Sequence, residues 1–117
     1  MPVTIGSGWN VGSGWSIGIP PGASTTVCGT ADENGTVSMT APAGTVFTSV
    51  EFASYGTPNG TCGAFSLGAC HAANSVTIVS GYLLGLGGTI NIPATNDVFG
   101  DPCSGTFKRL YIQATAS

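Results

Sequence analysis

Charge is scarce in this chain. Of 117 residues, five are acidic and two, Lys108 and Arg109, are cationic. Without a basic patch the chain cannot gather phosphates by releasing counterions, which excludes nucleic acid as a partner and argues equally against anionic membrane surfaces. Long hydrophobic runs are missing too. No stretch approaches the roughly 18 apolar residues of a bilayer span, so membrane insertion is not expected. The single histidine, His71, finds no Ser-His-Asp or Cys-His set to join. No C-x-x-C clip occurs among the four cysteines, and adjacent Cys70 and His71 are poorly placed to turn toward one ion. Neither a metal nor any other cofactor is therefore expected. The opening Met1-Pro2-Val3-Thr4-Ile5 lacks the charged head and apolar core of a signal peptide. Export is expected through a removed signal, by lysis, or inside an assembled particle.

What is present points to β structure. Hydrophobic residues make up 42% of the chain, charged ones 6%, and there are nineteen glycines. Solubility then rests on hydroxyls, amides and backbone, a surface suited to strands and turns in an extracellular or virion-exposed protein. The length allows one domain with a modest core. Cys28, Cys62, Cys70 and Cys103 permit three pairings. Read as disulfides, they imply an oxidising compartment.

Residues 5–18 repeat with a period of six: Ile5-Gly6-Ser7-Gly8-Trp9, Val11-Gly12-Ser13-Gly14-Trp15, then Ile17-Gly18. An even period places Ile5, Trp9, Val11, Trp15 and Ile17 on one face of an extended chain, with mostly glycine opposite. Two readings stand: an edge strand of the same domain, or an arm whose Trp9 and Trp15 contact a neighbouring subunit or a larger assembly through residues 1–22. The second is the expectation. Ile19-Pro20-Pro21-Gly22 reads as a hinge, which divides the chain into an arm and hinge at 1–24 and a domain at 25–117.

Within the domain, strands are expected over Thr36–Thr40 and Val46–Phe52. In the latter, Val46, Thr48, Val50 and Phe52 share a side opposite Phe47, Ser49 and Glu51. Asn74-Ser75 offers an N-cap to one short helix over Val76–Leu84, stopped by Gly85-Leu86-Gly87-Gly88. Thr89–Ile92 returns to strand. The stretch Asn96–Arg109 then gathers Asp97, Asp101, Lys108 and Arg109, over half of the charged residues. Pro102 stiffens the backbone after Asp101, and a Gly105-Thr106 turn delivers Lys108 to an alternating strand that ends near Ala114.

The run Phe52-Ala53-Ser54-Tyr55-Gly56-Thr57-Pro58, followed by Gly60-Thr61-Cys62-Gly63, Cys70-His71-Ala72 and Phe99-Gly100-Asp101-Pro102-Cys103-x-Gly105-Thr106-x-Lys108, resembles the rhamnose-binding, sea-urchin-egg-lectin-type domain. The form is that found at the C-terminus of plant and bacterial β-galactosidases. The resemblance implies a mainly β (α+β) fold: a compact antiparallel β-sandwich-like lectin domain with one short helix and long loops. It further implies the bridges Cys28–Cys62 and Cys70–Cys103. The family's other two bridges fall here at Ala41 with Ala116 and at Leu83 with about Thr89, so the losses come in pairs.

The sugar site implied by the resemblance maps onto Glu33, Tyr55, Asn96, Asp101 and Lys108, with backbone near Gly105. Glu33 and Asp101 suit hydroxyl donors, Lys108 suits acceptors among the ring substituents, and Tyr55 is expected to lay its ring on a sugar face. Strand parity with Leu110 and Ile112 places Lys108 where the core side opens to solvent. Thr57 stands where the family carries arginine, and five residues separate Cys28 from Glu33 where many members have neighbours. An ammonium between Glu33 and Asp101 suits binding better than glycoside hydrolysis, which needs one protonated acid. His71 reads as a local hydrogen-bonding group and Arg109 as a surface residue.

The expected function is a non-catalytic lectin for rhamnose- or galactose-type sugars on a cell-surface glycan, made multivalent as a homo-oligomer through the arm. The alternative is a structural or decoration protein of a viral particle, a cement or tail adhesin, assembled through the same arm.

Overall fold

The computed structural model describes residues 24–117. The repeat, Trp9, Trp15 and the Pro20-Pro21 hinge lie outside the described residues. Seven elements follow in order: β1 (Thr25–Asp32), β2 (Thr36–Thr40), β3 (Phe47–Gly56), α1 (Ser75–Leu83), β4 (Thr89–Pro93), α2 (Asn96–Phe99) and β5 (Arg109–Ala116). They form two antiparallel sheets, β1-β5-β3 and β2-β4.

β5 is the centre of the larger sheet, and its sequence shows why. Leu110, Ile112, Ala114 and Ala116 are fully buried, while the alternating Arg109, Tyr111, Gln113 and Thr115 are half-buried on the opposite face. That is the period of two expected of a strand with one face on a core. The chain turns at Glu33-Asn34-Gly35, where Asn34 adopts φ 72° and the Gly35 N–H donates to the Asp32 carbonyl at 2.8 Å. Asparagine tolerates this left-handed conformation better than most residues. Because β1 pairs with β5 and β2 with β4, this corner moves the chain from one sheet to the other.

The sheets meet closely at Gly29. A Cβ there would lie 2.5 Å from Val37 Cγ1 and 2.9 Å from Met39 Sδ, so the bare backbone makes room for two β2 side chains. Val37 and Met39 join Ile92, Phe47, Leu110 and Ile112 in one core, closed by Val79 and Leu83 of α1. Ser75, Val79 and Leu83 recur every four residues and form the buried stripe of that helix. The bridges are Cys28–Cys62 and Cys70–Cys103, the pairing implied by the resemblance. Ala41 and Ala116, where a further bridge would stand, are both buried, at 4% and 0% exposure.

Two expectations need correction. Phe47 is buried while Ser49 and Glu51, expected on its side, are exposed, so the expected two-sided alternation does not hold along β3. Register shifts against β5 between Phe47 and Ser49, and again between Val50 and Phe52, interrupt the simple alternation. The single expected helix is also joined by a second, α2, whose one turn is too short to show a periodic pattern. No helix among the described residues is long and apolar enough to cross a membrane.

Candidate functional site

Four chain segments converge at one end of the β1–β5 ladder. The last paired residues there are Asp32 and Arg109. One step beyond, the Glu33 N–H donates to the Lys108 carbonyl at 2.8 Å, and the Lys108 N–H donates to Glu33 Oε1, also at 2.8 Å. The corner is tied sideways to the end of β4: the Asn34 N–H donates to the Ala94 carbonyl, and the Ala94 N–H to the Gly35 carbonyl. This brings Asn96, the first residue of α2, near Glu33. Gly100 ends α2 with φ 84° and leads directly to Asp101.

Lys108 is the hub. Its Nζ lies 2.9 Å from Asp101 Oδ1 and 3.5 Å from Glu33 Oε1. It also donates to the carbonyls of Thr106 at 2.9 Å and Cys103 at 3.4 Å. Both carbonyls belong to the turn closed by the Thr106 N–H on the Cys103 carbonyl, in which Gly105 adopts φ 83°. A side chain at that φ is strained, so glycine shapes the cradle. The hydrogen bond to Asp101 lifts the Lys108 ammonium above its ordinary value of 10.5; burial opposes this, and the charges of Asp101 and Glu33 reinforce it.

The Lys108 side chain is only 2% exposed, against 15% for Glu33 and 40% for Asp101. Lys108 therefore does not sit at an opening to solvent, as strand parity had suggested. Its three donors are directed at four protein oxygens, and the acids are the groups left at the surface. Glu33 Oε2 and Asp101 Oδ2 take no part in these contacts.

Tyr55 needs a similar correction. It is fully buried, with its ring stacked on Phe99 at 5.0 Å between centroids, so it presents no face to a sugar. Its hydroxyl instead donates to Asn96 Oδ1 at 2.7 Å. That bond fixes the exposed Asn96 amide with its NH2 group turned away from Tyr55. Burial, and secondarily the charge of Glu33, raises the Tyr55 phenol above its ordinary 10.0.

Residues 39–116 match the family model of the D-galactoside/L-rhamnose binding SUEL lectin domain. The chain belongs to this family. It is 42% identical over 72 residues to Beta-galactosidase 8 of Arabidopsis thaliana, covering 62% of the chain. It is 38% identical over 102 residues to Beta-galactosidase 7 of Oryza sativa subsp. japonica, covering 77%. The match spans 8% and 13% of the length of those two relatives. The chain is thus a lectin-type, carbohydrate-binding module of the galactose/rhamnose class.

Other residues of the lectin domain brace this end of the fold. Arg109 points away from Lys108; its Nε donates to the Pro58 carbonyl at 2.8 Å, and its Nη2 to the same carbonyl and to Asn59 Oδ1. It staples the loop after β3 and is half-buried, where a surface residue was expected. Ser54 Oγ and His71 Nδ1 share a hydrogen bond of 2.8 Å, the local role expected of His71. Beside Asp101 lies a hollow of about 460 Å³ lined by His71, Asn74, Phe99 and Pro102, with Ala72 and Ala73. Sequence reasoning missed it. Asn74 was read there as a helix cap, yet its side chain makes no capping bond.

Proposed function

We propose that this lectin domain binds galactose- or rhamnose-type sugars without catalysis through Glu33, Asn96 and Asp101, and that Lys108 holds the two carboxylates in place while Tyr55 holds Asn96. The observation that carries the reading is the enclosed ammonium between two carboxylates that are themselves more exposed than it is, Glu33 at 15% and Asp101 at 40%. Carboxylates accept hydrogen bonds from sugar hydroxyls, and the Asn96 amide donates alongside them. The Gly105 turn adds a wall of bare backbone. Lys108 and Tyr55 are positioning residues in this scheme.

Two disulfides and the scarcity of charge support a setting outside the reducing cytosol, with a glycan as partner. The residue 5–18 repeat supports assembly through the arm, on another copy or on a particle surface. A single site of this kind is weak alone and gains by multivalency. Size measurement by light scattering, with and without residues 1–22, tests self-assembly: the same number of subunits in both overturns it.

Calorimetric titration with galactose and rhamnose tests the site. Saturable binding by the wild type, reduced roughly 10–100-fold in Asp101→Ala, is expected from the loss of a charged hydrogen-bond acceptor. No binding of either sugar, or full affinity in Asp101→Ala, would overturn the reading.

A further inference from the structure

The hollow beside Asp101 is separate from the Lys108 cradle but shares a wall with it. One wall runs from His71 to Asn74; the other is Phe99 with Asp101 and Pro102. Cys70 precedes the first wall and Cys103 follows the second, so the Cys70–Cys103 bridge ties the two together. The backbone behind His71 is pinned as well. The Thr57 N–H donates to the Cys70 carbonyl, and the Ala72 N–H donates to the Tyr55 carbonyl, both at 2.9 Å. Gly56 permits this approach, since a Cβ there would lie 2.1 Å from the Cys70 oxygen.

The hollow measures about 460 Å³ and is shallow and open to solvent, so it can cover one face of a sugar ring rather than enclose a ligand. Its lining suits a sugar ring. The exposed Ala73 and half-buried Pro102 offer apolar surface to C–H faces over a floor of buried Ala72 and Phe99, while His71, Asn74 and Asp101 offer polar groups to hydroxyls. The Asn74 side chain is exposed and unused by α1. His71 engages Ser54 through Nδ1, which leaves Nε2 on the other side of the ring.

We infer that this hollow is a second sugar subsite, and that the module recognises a disaccharide unit: one residue held by Glu33, Asn96 and Asp101, and its neighbour held by His71 and Asn74. Asp101 stands at the junction and touches both. The inference rests on the primary reading, because it needs the first sugar seated beside Asp101. The hollow supplies the preference for what is linked to that sugar, through its own polar groups and the width set by the Cys70–Cys103 bridge.

Titration of the full chain with methyl galactoside and methyl rhamnoside, against galactose and rhamnose disaccharides of varied linkage, tests it. At least one disaccharide is expected to bind about 3–10-fold tighter than its methyl glycoside, the gain from one added hydrogen bond. Asn74→Ala and His71→Gln should remove that gain and leave methyl glycoside binding unchanged. Asn74 carries no capping bond, so its variant separates recognition from folding. Methyl glycoside binding with no disaccharide gain, or a gain that survives Asn74→Ala and His71→Gln, overturns the inference alone. Failure of both methyl glycosides to bind overturns the primary reading and this one with it.

Discussion

At the scale of single residues, Lys108 and Tyr55 are held to their protons by the fold, Lys108 through Asp101 and Tyr55 through burial. Both are proton donors with raised folded-state values. A raised value means that the folded chain holds its proton more tightly than the unfolded chain. The resulting stability is fully present below the ordinary values near 10 and is lost as pH rises through the folded ones. The melting temperature should therefore fall steeply above pH 10, and the fall should be shallower in Lys108→Met. An alkaline profile identical in wild type and variant would contradict this assignment. At neutral pH Lys108→Met should itself melt lower, because Glu33 and Asp101 lose their shared counter-charge.

Tyr55→Phe isolates the hydroxyl. The ring stack on Phe99 survives the substitution, so chemical denaturation should register only about 1 kcal/mol for the lost hydrogen bond. Sugar affinity should drop disproportionately, since Asn96 is no longer oriented. An affinity loss no larger than the stability loss would mean that the hydroxyl serves the core alone.

At the scale of elements, the corner at Glu33 and the close approach at Gly29 set where the sheets meet. Gly29→Ala drives a methyl into Val37 and Met39, and overpacking of this kind costs about 1–3 kcal/mol. Urea unfolding measures it, and a neutral result would show that β2 can withdraw from β1. The two bridges close loops with sequence separations of 34 and 33 residues. Paired serine replacement of either should cost about 3–4 kcal/mol in the chain-entropy view. Replacing Cys70 and Cys103 should also weaken sugar binding, because Asp101 lies just ahead of that bridge. Loss of stability with affinity intact would detach the bridge from the site.

Some elements were legible in advance for plain reasons. β5 shows its alternation because one face is buried along its whole length, and α1 shows a start and a glycine stop. β3 did not, since two register shifts reset which residues face inward. α2 was invisible because one turn has no period. The acidic corner at Asp101 and its lysine stood out through the rarity of charge. The enclosure of Lys108 did not, because Glu33 meets it from 75 positions away. Nor could local pattern show that Phe99 takes the face of Tyr55 that a sugar was expected to use. Sequence reasoning located the residues, and long-range packing decided which of them hold and which remain open.

At the scale of the molecule, one end of a disulfide-braced two-sheet fold sets Glu33 and Asp101 around one buried ammonium. The most direct test is a backbone amide NMR titration of the full chain with galactose and with rhamnose. The account predicts that saturating shifts cluster on Glu33, Asn96, Asp101, Gly105 and Lys108, with the far ends of β1 and β5 unmoved. Shifts centred instead on Gly60, Thr61, Phe65 and Tyr111, or no saturable shifts with either sugar, would contradict it.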